Sequence, residues 1–336
     1  MGFPSFWAGR SWNGKTRKVI PFAIGEVIES CAMNEKPWLD DTQPIAGHGR
    51  IATAGETLEG PRRRRRGCLP RALVVLALLL AASCVSSLLT GRINVLVLGI
   101  DRTPEGSAAG RSDTMILTTF IPARGYAGML SIPRDLWVSI PGFGENRINA
   151  AHFFAEAVEV DSGPTAAVET VSTNFGIDLH YYVRVQFDAL RSLVDALGGV
   201  TIVLEQPAGG LPTGEHVLDG EAALAFIRNR AGSDDFFRME NGQLFTRALA
   251  ARLLSPASWP RLPLVVAAIV DGIDTNVPPW AWPSIGWSLL FAGPEGIDGR
   301  IIDREMAHGF TTAEGAQVLA PDWAQINPIL LEMFGQ

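Results

Sequence analysis

Two kinds of apolar pattern divide this chain. The first is one unbroken stretch: Ala72 to Leu89 (ALVVLALLLAASCVSSLL) runs 18 residues without a charge. A helix of that length spans roughly 27 Å, near the thickness of a bilayer's hydrocarbon core, so the pattern predicts one transmembrane helix over 72–89. The second kind is a series of short runs. Ile93 to Gly99 (INVLVLG) is β-branched and aliphatic and ends in glycine, which predicts a buried central strand. Met115 to Phe120 and Tyr126 to Ile132 read as two more strands, joined at Pro122–Gly125. Ile148 to Val160 and Thr165 to Phe175 have helical spacing. Tyr181 to Gln186 alternates as a strand, and Phe187 to Leu197 continues as a helix that Gly198-Gly199 closes. A short strand is expected over Val200–Leu204, then a helix over Gly220–Ile227 capped by Asp219, then a longer amphipathic helix over Phe237–Leu254. Strands interleaved with helices place the chain in the α/β class, with a sheet covered on both faces. Beyond residue 255 the chain turns rich in Trp and Pro (Trp259, Trp280, Trp282, Trp287), and that stretch is expected to be an irregular cover.

Charge sharpens the division. The whole chain of 336 residues carries a formal −7, but residues 1–71 hold 12 basic and 7 acidic side chains, and residues 72–336 hold 16 and 28. The arginine run Arg62–Arg66 stands directly before the apolar stretch, and the next cation after it is Arg92. Cations on the N-terminal flank alone predict a cytoplasmic N-terminus and an extracytoplasmic C-terminal domain in the cell membrane. Two other readings of 72–89 stay open: a cleaved signal peptide, which the long leader disfavours, and a lipoprotein signal ending at Cys84. Met33 is an alternative start. The apolar fraction of 47% excludes a disordered chain, three cysteines exclude a disulfide scaffold, and the acidic balance argues against a nucleic-acid binder.

Several familiar chemistries are not indicated. The histidines are scattered with no cysteine nearby, against a zinc site, and there is no G-x-S-x-G for a serine hydrolase. Gly9 to Thr16 fits G-x-x-x-x-G-K-[ST], but Pro4 before it and Pro21 after it leave no strand and helix to present the loop, so it reads as a chance match. The informative pattern is arginine in an acidic domain. Arg102, Arg111, Arg134 and Arg147 sit in or beside loops leaving strand ends, and Arg228, Arg230 and Arg238 flank a helix end. Guanidinium forks suit phosphate oxygens, and several on strand-end loops can converge on one anion. Asp101 and Asp113 lie beside them, a pair of carboxylates of the kind that holds Mg²⁺ against a phosphate. The same pattern is also compatible with ion pairs and turn caps. Arg228 and Arg230 reach one ligand only if the helix ends by Arg228, because residues two apart on a helix face different ways.

Those residues carry a resemblance. Val97-Leu98-Gly99-Ile100-Asp101, Gly110-Arg111-Ser112-Asp113-Thr114-Met115, Leu130-Ser131-Ile132-Pro133-Arg134-Asp135, Arg147-Ile148-Asn149-Ala150-Ala151, Leu193 to Val200, Leu218 to Arg230 and Asp235-Phe236-Phe237-Arg238 follow in order. In this the chain resembles the LytR–CpsA–Psr family of bacterial cell-wall enzymes, over roughly Ile93 to Leu254. The resemblance implies a three-layer α–β–α domain with a central mixed sheet over 92–255, after a cytoplasmic tail (1–71) and the membrane helix, and before a C-terminal extension (256–336) packing on the domain. It implies transfer of a glycopolymer, through phosphate, from a polyprenyl-pyrophosphate carrier to a cell-wall acceptor such as peptidoglycan. Asp101 and Asp113 would hold Mg²⁺; Arg111, Arg134, Arg228, Arg230 and Arg238 would bind phosphate and stabilise developing charge; Arg102 and Gln243 would contact substrate. Two departures stand out. Arg102 is one position after Asp101 where the family often has its arginine second, and the usual Arg-Gln-Gln run is here Asn241-Gly242-Gln243. A non-catalytic anchored protein that binds prenyl lipid or glycan, and a hydrolase of the same carrier, are the alternative readings.

Overall fold

The computed structural model describes residues 91–100, 110, 112–229 and 235–335. The leader with its G-x-x-x-x-G-K-T match and the apolar segment 72–89 lie outside the described residues.

The sheet is built around β1 (Ile93–Ile100), whose alternate side chains go to opposite faces. Both faces are buried: Leu96 and Leu98 on one, Val95 on the other. That accounts for an apolar run with no polar face. β2 (Ser112–Ile121) and β3 (Tyr126–Ser131) continue as an antiparallel meander on one side. On the other side β6 (Tyr181–Gln186) pairs parallel to β1, in the register Val97–Val183. The full order is β10-β3-β2-β1-β6-β9, with β9 (Ile273–Thr275) and β10 (Asp298–Ile301) at the two edges. β9 is antiparallel to β6 and β10 parallel to β3, so the sheet is mixed.

Helices cover both faces. On the Leu96 and Leu98 face lie α2 (Gly163–Phe175) and α8 (Trp323–Phe334), which bury Phe175, Leu330 and Phe334. On the Val95 face lie α5 (Asp235–Leu254) and α7 (Trp282–Ala292), meeting Ile116, Met129 and Ile93 through Ala250 and Ile285. Beside the sheet, α3 (Phe187–Leu197), the hairpin β7 (Val200–Leu204) and β8 (Gly214–Leu218), and α4 (Gly220–Arg228) share a second core with Val194, Phe226 and Phe245.

Local chemistry sets these boundaries. Gly198 and Gly199 take φ of 74° and 94°, left-handed values open to glycine, and the Gly198 amide closes onto Asp195 O. The Asp219 carboxylate accepts from the Ala222 amide at 2.8 Å, as a capping residue should. α4 stops at Arg228 and Asn229 is extended (φ −62°, ψ 125°). One helix start moves: the Ile148 amide is taken by Leu136 O at 2.7 Å, so α1 runs Ala150–Val158 rather than from 148.

The stretch beyond residue 255 is not an irregular cover. It folds into α6 (Leu262–Gly272), α7, α8, both edge strands and the hairpin β11 (Ala307–Thr311) with β12 (Gln317–Pro321). Tryptophan and proline stand at helix starts there, as with Trp282-Pro283 in the first turn of α7, where proline costs no hydrogen bond. Phe334 is 2% exposed in the main core. Phe334→Ala is therefore expected to cost about 3–5 kcal/mol by chemical denaturation, far more than truncating a surface appendage.

Candidate functional site

Strand direction places the site. β1, β3, β6 and β10 run the same way and β2 runs against them. One end of the sheet thus gathers the carboxyl ends of four strands and the start of β2, the position where open α/β sheets receive ligands.

A bulge aims the first side chain. Gly99 faces Thr114 and Ile100 faces Ser112, so Asp113 is left out of the pairing. A bulged residue is freed from the ladder and its side chain is re-aimed. Gly99 suits this crowding, since a Cβ there would lie 3.0 Å from Thr114 Cβ. The Asp113 carboxylate accepts from Arg134 Nη1 at 2.9 Å, and its backbone carbonyl accepts from Arg238 Nη2 at 2.9 Å. Arg134 stands just past β3, and Arg238 is buried in the first turns of α5. Three of the expected site residues therefore meet at one point, and two of them, Asp113 and Arg238, line a narrow cleft with Thr114, Ser131 and Gly242.

Arg228 reaches the same end of the sheet by another route. Its guanidinium lies 5.3 Å from the ring centre of Phe187, the residue directly after β6. Gln243 goes elsewhere: it is buried, and its amide donates to Ser131 Oγ at 3.0 Å and to Arg300 O at 2.5 Å, tying α5 to β3 and β10. Asp101, Arg102, Arg111 and Arg230 lie outside the described residues.

Two neighbours were not singled out from sequence. Asp135 forms ion pairs with Arg134 Nε (3.5 Å) and Arg147 Nε (3.3 Å), so one carboxylate positions two guanidiniums. The adjacent Arg-Asp and the later Arg147 were the available signal. Arg304, just beyond β10, lies 5.4 Å from the Phe236 ring centre and adds a cation at this end. It falls in the segment expected to be a mere cover.

Arg147 also lines a groove of about 410 Å³, with Trp137, Glu145, Asn149, Phe153 and Glu314 among others. β4 (Trp137–Ile140) and β5 (Gly144–Arg147) form one wall and the β11–β12 turn the other. Trp137 meets Phe310 edge-on at 6.2 Å, and Arg147 donates to Gln317 O at 2.9 Å. Flat aromatic faces beside carboxylates and amides suit a polar ring compound.

As for metal, no group of three His, Cys, Asp or Glu side chains converges among the described residues. Asp113 offers one carboxylate at the cleft. That fits an ion held by one or two carboxylates plus substrate oxygens, and does not fit an all-protein cage.

A buried network lies against Gly110. His152, on α1, is within 2.9 Å of Gly110 O through Nδ1, and because a carbonyl only accepts, Nδ1 carries the proton. Glu156 accepts from the Asp161 and Gly163 amides at 3.0 Å each. Arg184 of β6 closes the cluster, 3.4 Å from Glu156, 2.9 Å from Asp161 and 2.8 Å from Asp274.

Fold and site together define an α/β domain with arginines gathered around a carboxylate at its strand ends. The LytR_cpsA_psr family model matches residues 82–325. The chain belongs to the LytR–CpsA–Psr family. A polyisoprenyl-teichoic acid–peptidoglycan teichoic acid transferase TagU from Oceanobacillus iheyensis is 42% identical over 142 residues, covering 41% of this chain and 43% of that protein. The Enterococcus faecalis TagU is 30% identical over 192 residues (55% and 61%), and the Staphylococcus aureus regulatory protein MsrR 29% over 196 residues (56% and 57%). The chain thus spans about half the length of the curated relatives it matches. Among solved structures, TagT bound to LIIa-WTA shares the fold with a TM-score of 0.58 at 24% identity, over 74% of this chain and 92% of that one. B. subtilis TagV does so with 0.59 at 24%, over 73% and 97%.

The His152 ring gives a pH test. Burial, the largest cause, holds its pKa below the ordinary histidine value of 6.5, against the opposing pull of Gly110 O and Glu156. The unfolded chain therefore binds a proton near that pH which the folded chain refuses, and stability falls as pH drops below it. Thermal melts between about pH 7.5 and 5.5 are expected to show a falling Tm, with the slope flattened in His152→Gln.

Proposed function

We propose that the protein is a membrane-anchored phosphotransferase that moves a glycopolymer from a polyprenyl-pyrophosphate carrier to a cell-wall acceptor such as peptidoglycan. The convergence of Arg134 and Arg238 on bulged Asp113 at the strand ends carries this reading. The relatives named as teichoic acid transferases supply the reaction class. In this reading the acceptor hydroxyl oxygen forms a bond to the phosphorus next to the glycan, the bond from that phosphorus to the bridging oxygen breaks, and the hydroxyl proton is carried off by the departing phosphate. Prenyl phosphate leaves with the electron pair.

Each residue has a distinct part. Arg134 and Arg238, with Arg228, Arg111 and Arg230, hold the phosphate oxygens and meet the charge that grows on them. Asp135 keeps Arg134 and Arg147 in their positions. Asp113 and Asp101 would hold Mg²⁺, which when bound neutralises pyrophosphate charge. Arg102 would contact the substrate beside them. The aromatic groove beside Arg147 receives the acceptor's sugar rings, through Trp137 and Phe153 faces and the Glu145 and Asn149 side chains. The segment 72–89 keeps the extracytoplasmic domain at the membrane that carries the donor.

The test uses the full chain in detergent or bilayer discs with Mg²⁺, a polyprenyl-pyrophosphate glycan and peptidoglycan. Arg134→Ala and Asp113→Asn are each expected to lower transfer by about 10²–10³-fold. Arg134→Lys is expected to recover little, because an ammonium lacks the planar fork. Release of prenyl phosphate without glycan transfer would select a hydrolase, and tight lipid binding without turnover would select a binding protein. Trp137→Ala is expected to raise the acceptor KM about threefold to tenfold with the donor KM unchanged, measured by varying each substrate in turn.

A further inference from the structure

The end of the sheet opposite the reaction centre carries the most apolar exposed surface of the described chain. α7 lies across that end. Its first turn packs on the start of β1, where Ala281 and Ile285 meet Ile93 and Val95. Its last turn reaches the β2–β3 turn, where Phe291 lies so close to Gly125 that a Cβ there would come within 2.7 Å. α6 reaches the same end. Arg261 sits against Gly198 and Gly272 against Ala189, so α6 runs antiparallel to α3, and α3 starts at the reaction-centre end, directly after β6. Trp259 and Leu262, at the start of α6, therefore lie at the end where α7 crosses.

The side chains there face solvent. Trp259 is 62% exposed, Trp280 61%, Leu290 58% and Phe291 61%, with Leu262 and Trp282 above 40%. The segments themselves carry no charge from Leu262 to Val270 or from Thr275 to Pro294, while Arg124 stands in the β2–β3 turn that α7 reaches. Trp280, Trp282, Leu290 and Phe291 stand on or just before α7, and exposed apolar side chains gathered in this way mark an interaction surface. The position says what covers it. The apolar segment 72–89 ends three residues before Arg92, and β1 begins at Ile93, against α7 itself. Three residues reach about 10 Å at full extension, so an anchored chain holds this face at the lipid surface. Tryptophan, with an apolar body and one N–H donor, partitions to the head-group layer. No single described helix is long and apolar enough to cross a membrane.

We propose that α7 and the start of α6 form a second, peripheral bilayer contact that seats the domain on the membrane with its reaction centre facing outward. This inference rests on reading 72–89 as an anchor. The experiment spin-labels the full chain in lipid nanodiscs, with Cys31, Cys68 and Cys84 changed to serine, at Trp282→Cys, Leu290→Cys or Glu305→Cys. The first two sites lie on α7, and the third lies just past β10 at the reaction-centre end. Each variant must melt like its parent. The 282 and 290 labels are expected to lose accessibility to a water-soluble nickel chelate severalfold relative to 305, while staying open to oxygen. Equal nickel accessibility at all three sites, with the chain still resisting carbonate extraction, overturns the surface contact and leaves the anchor standing. A chain that washes out overturns both. Dipolar broadening between labels that fades on dilution with unlabelled chain overturns the proposal in favour of a second copy.

Discussion

The register between β1 and β2 is the constraint from which the rest follows. Side chains alternate between the faces of a strand, so a slip of one residue would send every core residue to the wrong side. The pairing Leu96–Leu117 and Leu98–Met115 keeps both strands in phase for most of their length. At Gly99–Ile100 the phase is broken once, at the end where the strands leave the core. Asp113 is the residue set free by that break. Its carboxylate then accepts from Arg134, just past β3, and its backbone carbonyl from Arg238, in the first turn of α5.

The electrostatics of the centre rest on pairs rather than isolated cations. Arg134 is shared between Asp113 and Asp135, and Asp135 is shared again with Arg147. Removing one partner from such a chain leaves the next guanidinium free to move, so positioning extends beyond the groups that touch a ligand. The domain is acidic on average, with 28 acidic against 16 basic side chains after residue 71. The cations at the strand ends are therefore a local concentration, and an acidic average does not exclude an anionic ligand.

Much of the architecture was legible in the residues. The double-sided apolar run of β1, the Asp219 cap, the Gly198-Gly199 stop and the end of α4 at Arg228 each follow from local chemistry and stand as expected. Elements whose reason is non-local were not legible. β9 has three residues and β10 four, too short for alternation to declare itself, and each exists because an edge of the sheet was open to it. The hairpin β4–β5 and the strand β8 were likewise missed, since half their positions are polar or exposed, whereas β7 stands over Val200–Leu204 as expected. At the site, Asp113 with Arg134 and Arg238 was found through residue type and spacing. The inward turn of Gln243 was not, because its partners Ser131 and Arg300 are 112 and 57 residues away. The expected helix at 72–89 and four of the expected site residues fall outside the described chain.

The two edge strands and α8 have a consequence in time. β1 is made first, yet the sheet it founds is bordered by β9 and β10, and its core is filled by Leu330 and Phe334. At about 5–20 residues per second of synthesis, the first strand waits on the order of tens of seconds for the helix that seals it. Until then the Leu96 and Leu98 face of the sheet lacks the cover that α8 supplies. The fold closes like a purse whose drawstring is threaded last, and an emerging chain of this kind depends on whatever keeps exposed strands apart during that interval.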